Sequence, residues 1–254
     1  MLTKSWKQEL KERPLFGCFV TFGSPGLTEF TARMGFDFIL IDNEHGSMNQ
    51  ETIENMIRAS QCAGVPAIVR VPQNRPEYIQ KSLDNGANGI QVPLTSNAEE
   101  VTKVVQAAHY PPYGERGVAY QTRAAHFGLY PNRGAYLTDA DEEKLVCVHI
   151  ETREAVEKLD EILNIEGVDV FFVGPGDLSA AMGYAKNPND PEFISIVEEC
   201  IRKITCKGKI AGTYVGNVEQ AQKYVELGCR YIVTILTPYM AQGAQQFLRS
   251  VKRV

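Results

Sequence analysis

Charged side chains recur just past apolar runs in this sequence, and their types suit proton transfer and anion binding. The run FDFILID is followed by Asn43-Glu44-His45, PAIVRV contains Arg70, KLVCVHI is followed by Glu151, and VDVFFVG is followed by Pro175-Gly176-Asp177. Histidine changes charge near neutral pH, so His45 can act as a general base. Arginine offers a planar fork of donors that matches a carboxylate or an enolate, which is the role open to Arg70. Glu151 and Asp177 are the pair to hold a hard divalent cation such as magnesium or manganese, which keeps water and substrate oxygens as its other ligands.

Each residue also has a structural reading. Glu151 opens ETREAVEKL, where an acid favours the first turn of a helix. Asp177 fits the N-cap of a short turn, Asp-Leu-Ser-Ala-Ala-Met-Gly. Arg70 lies in Ala-Ile-Val-Arg-Val-Pro, where a buried guanidinium requires an anion. That anion is either Glu44, in a structural ion pair, or a bound substrate. The shared phase of the four signatures favours one site, because charges at the carboxyl ends of successive buried strands converge on the active face of an α/β barrel.

The elements that would hold such a face are legible. Short runs rich in β-branched and aromatic residues fall at about 17–21, 37–41, 67–71, 89–92, 145–150, 168–173, 209–213 and 230–235. They are continuously apolar, as parallel strands covered on both faces are. Helical periods fall between them at 26–34, 51–63, 75–85, 97–108, 152–164, 191–207, 217–227 and 238–251. Asn97 and Asn217 read as N-caps with acids in the first turn. Gly64, Gly86, Gly208 and Gly228 read as left-handed helix ends. The expectation is one (β/α)8 TIM barrel over residues 1–254, a length ordinary for that fold.

Composition narrows the function classes. A net charge of −5 with no basic run argues against nucleic acid. Six cysteines form no C-x-x-C pair, and Cys18 and Cys147 lie in apolar runs as packing thiols, which points to a reducing compartment. No stretch approaches the roughly 18 apolar residues of a membrane span, and the start of the chain is charged and amphipathic, unlike a signal peptide. The expectation is a soluble cytoplasmic protein. Residues 109–143 break the strand–helix rhythm with Arg116, Arg123, His126 and five tyrosines. They form either a surface excursion or oligomer contact, or a lid near the pocket.

The motifs IDNEHG, VRVP, LDNGANGIQVP, PPYGERG and HIETREAVEKLDEIL–NIEGVDVFFVGPGDLSAAMG, taken with the barrel pattern, resemble the HpcH/HpaI family of metal-dependent pyruvate aldolases from about residue 15 to 250. The resemblance implies a barrel of the phosphoenolpyruvate/pyruvate type, a homohexamer, and a last helix exchanged between subunits. It implies that Glu151 and Asp177 bind magnesium, manganese or cobalt, and that Arg70 holds the keto-acid or enolate oxygen. It implies His45 as the base, acting through water and oriented by Asp84 of a neighbouring subunit. The Gly176–Asp177 amides would receive the pyruvate carboxylate, with Gln91 also facing the substrate. The products would be pyruvate and an aldehyde from a 4-hydroxy-2-keto acid.

The chemistry agrees. Making pyruvate a nucleophile requires a lysine Schiff base or a Lewis-acid metal, and no lysine lies inside an apolar strand: Lys144 and Lys209 stand at amino-terminal ends. His149 departs from the family, which often has glutamine there. It is a core histidine, a partner of metal-bound water, or a third ligand. Val-Ala-Tyr-Gln-Thr-Arg after Gly117, and Ile-Leu-Thr-Pro-Tyr after the eighth strand, also depart and leave the aldehyde side open. Alternatives are a CoA-thioester lyase of the citrate-lyase type, a phosphate-handling isomerase gripping phosphate at 212–216, and a binding protein.

Overall fold

Eight parallel strands close on themselves in chain order, β1 pairing with both β2 and β8. They are β1 Leu15–Val20, β2 Phe38–Asp42, β3 Ala67–Arg70, β4 Gly89–Val92, β5 Leu145–Ile150, β6 Val170–Val173, β7 Ile210–Tyr214 and β8 Tyr231–Ile235. The structure is a computed structural model describing residues 6–251. The helices are α1 Trp6–Glu12, α2 Pro25–Ala32, α3 Gln50–Cys62, α4 Pro76–Asp84, α5 Ala98–Ala108 and α6 Arg133–Glu143. They continue with α7 Arg153–Glu157, α8 Leu159–Ile162, α9 Pro175–Met182, α10 Pro191–Cys206, α11 Val218–Glu226 and α12 Leu236–Ser250.

The runs are continuously apolar because both faces of each strand are covered. In β2, Phe38 and Leu40 point into the barrel, with Cys147, Phe172 and Tyr231. Ile39 and Ile41 point outward against the helices. Trp6 and Leu10 of α1 join the inner cluster and plug the barrel at the strands' amino-terminal end, a use of the chain's first residues that their amphipathic pattern alone did not disclose. Asn97 and Asn217 cap α5 and α11 as expected, accepting from Glu100 N and Gln220 N. The four helix-ending glycines take φ of +72° to +88°.

Three elements differ from the sequence expectation. The helical period 152–164 divides into α7 and α8. Asp177 is not an N-cap: Gly174 occupies that position and Pro175 begins α9, since proline's fixed φ suits a first helical residue. Asp177 therefore sits in the first turn. Finally, residues 109–143 do not cover the chain's own active face. They contain α6 and a tyrosine cluster around Tyr110 and Tyr136. Arg116 bonds Asp84 at 2.6 Å, and Arg123 bonds Gln61 and the Asn85 carbonyl. Those partners lie at the carboxyl ends of α3 and α4, the opposite end of the barrel from the strand termini. Polar side chains that find partners there favour the surface excursion or oligomer contact over a lid on the chain's own pocket.

The last helix leaves its surface unfilled. Among its described residues α12 buries only Leu236, while Tyr239, Met240, Phe247 and Leu248 are exposed. A groove of about 820 Å³ runs between α2 and α11 over β1 and β8, lined by Phe16, Met34, Phe36, Val218, Val225 and Ile232. An eighth barrel helix would ordinarily occupy that space.

Candidate active site

The strand register places Asp42 directly opposite Arg70 at the carboxyl ends of β2 and β3. Arg70 Nε and Nη2 bond the two Asp42 oxygens at 2.9 and 2.8 Å, and the guanidinium stacks 4.6 Å over the Phe19 ring. This bidentate pair is nearly dry, with side-chain exposures of 11% and 2%. The fork expected to clamp substrate is thus taken by Asp42, and Nη1 pairs with Glu44 at 3.0 Å, the structural ion pair that was the other expectation. Asp42 also accepts from the Glu44 and His45 amides at 3.2 and 3.3 Å, so one carboxylate shapes both the arginine and the turn that carries the histidine. Sequence reasoning overlooked it, although an acid ending a fully buried strand was a usable signal.

Glu44 is the second acid of this corner. Its Oε2 lies 3.0 Å from Arg70 Nη1, but off the line a hydrogen bond needs, and the atom is buried without a hydrogen-bond partner. Burial raises the Glu44 pKa above the usual carboxylate value. The negative charge of Glu151 adds to that rise, and Arg70 opposes it. His45 projects to the mouth of the barrel, 62% exposed, with Nε2 3.9 Å from Glu44 Oε2.

Glu151, immediately after β5, is 2% exposed. Its Oε1 accepts from the Leu94 amide at 2.7 Å and its Oε2 from His149 Nδ1 at 2.5 Å. Burial alone would push its pKa up, but the pull and hydrogen bond of His149, then the Leu94 N–H and Arg70, outweigh it, and the pKa falls. Leu94 takes a φ of +55° to present that amide, a left-handed conformation that costs a leucine about 1–2 kcal/mol. Nothing in the sequence around Leu94 signals this. Against the other side of Glu151 lies the turn into α9: a β-carbon on Gly174 would sit 2.7 Å from Glu151 Oε2. Gly176 and Asp177 follow in the first turn, ahead of the first α9 backbone bond, Leu178 N to Gly174 O. Their amides are therefore free to meet an anion.

A divalent ion fits these residues. Glu151 is an anion with a spare lone pair on each oxygen, and Asp177 stands exposed on the adjoining turn. Among the described residues no three His, Cys, Asp or Glu side chains form a closed metal cage, so water and substrate would complete the coordination.

The comparisons with known proteins decide the family. Residues 15–233 match the HpcH/HpaI aldolase/citrate lyase family. The chain belongs to it. It is 39% identical over 247 residues to the 4-hydroxy-2-oxo-heptane-1,7-dioate aldolase of Shigella flexneri, covering 96% of this chain and 91% of that protein. An HpcH/HpaI aldolase/citrate lyase family protein from Burkholderia cenocepacia J2315 superposes with a TM-score of 0.92 at 30% identity, covering 99% and 100% of the two chains. The citrate synthase SbnG gives 0.87 at 29%, covering 97% and 96%. Membership makes this chain an enzyme, a carbon–carbon lyase of the aldolase kind.

Gln91 was expected to face substrate, and Asp84 to orient the His45 of a neighbouring subunit. Gln91 is fully buried, its amide engaged by His149 and by Tyr231, so it lies beneath the site rather than lining it. Asp84 is held by Arg116 at the far end of the barrel, where it cannot meet the His45 of its own chain.

Proposed function

We propose that this chain is a metal-dependent pyruvate aldolase that cleaves 4-hydroxy-2-keto acids to pyruvate and an aldehyde. The observation that carries the reading is an ionised Glu151, gripped at both oxygens, beside the free amides and carboxylate of the α9 turn and across the barrel mouth from an anchored arginine. None of the eight strands carries a lysine, which removes a Schiff base from the active face. A magnesium, manganese or cobalt ion held by Glu151 and Asp177 would supply Lewis acidity toward the 2-keto acid. The Gly176 and Asp177 amides receive the substrate carboxylate, and Arg70 Nη1 donates to the 2-oxygen. His45, through water, takes the proton of the 4-hydroxyl. The C4–O bond becomes a carbonyl as C3–C4 breaks, its electron pair passes into the pyruvate enolate, and a proton returned to C3 completes pyruvate.

The test measures pyruvate release from 4-hydroxy-2-oxo-heptane-1,7-dioate, the acid in the Shigella relative's name, before and after EDTA and after each metal is restored. Loss with EDTA and recovery with metal is expected. Undiminished cleavage in EDTA, or inactivation by borohydride with substrate, overturns the proposal. Citrate belongs in the same assay, because the likeness to a citrate synthase supports that alternative substrate.

The working form we propose is a cytoplasmic homo-oligomer, a hexamer, in which α12 fills the groove between α2 and α11 of a second copy and Asp84 approaches the neighbour's His45. The unfilled groove and the apolar face of α12 support the exchange, and four buried thiols support a reducing compartment. Truncation at Ala241 is expected to abolish assembly and turnover together, read by light scattering beside the activity assay. A fully active truncated monomer overturns it.

A further inference from the structure

A line of buried polar side chains runs up the inside of the barrel and ends on Glu151. Tyr231, which opens β8, donates its hydroxyl to Gln91 Oε1 at 3.1 Å. Gln91 Nε2 lies 2.6 Å from His149 Nε2, and His149 Nδ1 lies 2.5 Å from Glu151 Oε2. None of the four is more than 2% exposed, so no bulk water competes for these contacts. The Phe172 ring stacks on the imidazole at 4.9 Å and 26° and holds its plane.

The polarity of this line is set from its two ends. A phenol that donates to the Gln91 carbonyl turns the amide's N–H groups toward the imidazole, so His149 Nε2 must accept. A carboxylate oxygen 2.5 Å from a ring nitrogen accepts, so His149 Nδ1 donates. The ring therefore carries its proton on Nδ1, and its remaining lone pair is taken by Gln91. Neither nitrogen is left to bind a metal ion or a metal-bound water.

We propose that His149, backed by Gln91 and Tyr231, is a positioning residue: it fixes the Glu151 carboxylate in place and orientation and so sets the enzyme's affinity for its divalent ion. This rests on the metal-dependent reading above. Glu151 has three rotatable side-chain bonds before its carboxyl group, and Leu94 N–H restrains only one of its oxygens. The imidazole restrains the other. Residues that orient a metal ligand typically contribute about 10–100-fold in metal affinity. Tyr231 contributes indirectly. Without its hydroxyl the Gln91 amide can turn over, present its oxygen to His149 Nε2, draw the ring proton there, and leave Nδ1 facing the Glu151 anion as a second acceptor.

Two measurements on the full chain test this. In the metal-free protein, ¹⁵N NMR of the four histidines, with His149 assigned by loss of its signals in His149→Gln, is expected to show an Nδ1–H imidazole. Tyr231→Phe is expected to add the Nε2–H form. An imidazolium or an Nε2–H ring in the wild type overturns the polarity. Mn²⁺ affinity, read as free Mn²⁺ by electron paramagnetic resonance, is expected to fall about 10–100-fold in His149→Phe and severalfold in Tyr231→Phe. In His149→Gln, which keeps a donor for Glu151 and an acceptor for Gln91, it is expected to return to near the wild-type value. Unchanged affinity in folded Tyr231→Phe overturns the inference, and that variant decides if His149→Phe fails to fold. Wild-type protein that binds no Mn²⁺ overturns the function proposed above, whereas normal wild-type binding with unchanged variants overturns this inference alone.

Discussion

Gly174→Ala tests how rigidly Glu151 is held without altering any charge. Gly174 has φ −88° and ψ 90°, which alanine adopts freely, so the position needs glycine for space and not for conformation. The added β-carbon would lie 2.7 Å from Glu151 Oε2 and 3.2 Å from Glu151 Cβ. An ordinary carbon–oxygen contact begins at about 3.3 Å, so the carboxylate must retreat by about 0.6 Å. On an exposed glutamate that motion would cost almost nothing. Here it pulls on bonds of 2.5 Å to His149 and 2.7 Å to Leu94. Giving up one charge-assisted hydrogen bond costs about 1.5–3 kcal/mol, equivalent to about 10–100-fold in a binding constant. Calorimetric titration with Mn²⁺ is expected to show that loss, with kcat/KM for pyruvate release falling in step and the far-ultraviolet circular dichroism unchanged. Wild-type affinity, turnover and melting temperature in Gly174→Ala would show that Glu151 moves freely and would refute the reasoning.

Arg70→Lys is expected to lower kcat/KM by at least about 100-fold and the melting temperature by several degrees, because an ammonium cannot serve both oxygens of Asp42 and a ligand at once; a folded variant of normal activity by coupled pyruvate assay would count against Arg70. His45→Ala is expected to slow deuterium exchange at the pyruvate methyl by about 10²–10⁴-fold with little change in Mn²⁺ affinity, and exchange at the wild-type rate would assign the base elsewhere. Burial raises the thiol pKa of Cys18 and Cys229 from 9.0 to about 12, that of Cys200 to about 11, and that of Cys147 in the same direction. A raised acid contributes stability below its unfolded pKa and loses it as pH climbs toward the folded one, so these four predict falling stability above pH 9. Lys144, lowered from 10.5 to about 8 by burial, acts in the opposite sense but alone, so urea midpoints are expected to drop from pH 9 to pH 10. In the native protein only Cys62 and Cys206, the exposed thiols, should react with a thiol reagent.

The barrel was legible because parallel strands buried on two faces leave unbroken apolar runs, and a charge that interrupts or ends such a run has few structural excuses. Arg70, Glu151 and Asp177 were found on that ground. Their partners were not. The pairing of Asp42 with Arg70 depends on β2–β3 register, which a single sequence does not print, and Leu94 acts through its backbone, whose conformation no side-chain type announces. Helix α6 was missed because RGAYLTDADEE buries only Tyr136 and so carries almost no apolar period. Gln91 was expected to touch substrate, yet a polar residue inside a four-residue buried strand was better evidence of an internal network. Its partner His149 lies on the neighbouring strand, and strand alternation did place His149 on the same side as Glu151.

The site divides into groups that are held and groups that are loose, and the division follows the chemistry. Arg70 and Glu151 must present charge at fixed points, and each is restrained by at least two partners in a nearly dry setting where a small displacement is costly. His45 and Asp177 stand exposed at the barrel mouth, where a proton must pass to water and an ion must enter. Rigid holders therefore couple the site to the fold, since Asp42, Leu94, His149 and Gly174 are also elements of strand ends and turns. A substitution among them should move affinity and stability together. A substitution at His45 should move the rate alone, because its side chain contributes almost nothing to the packing of a single chain.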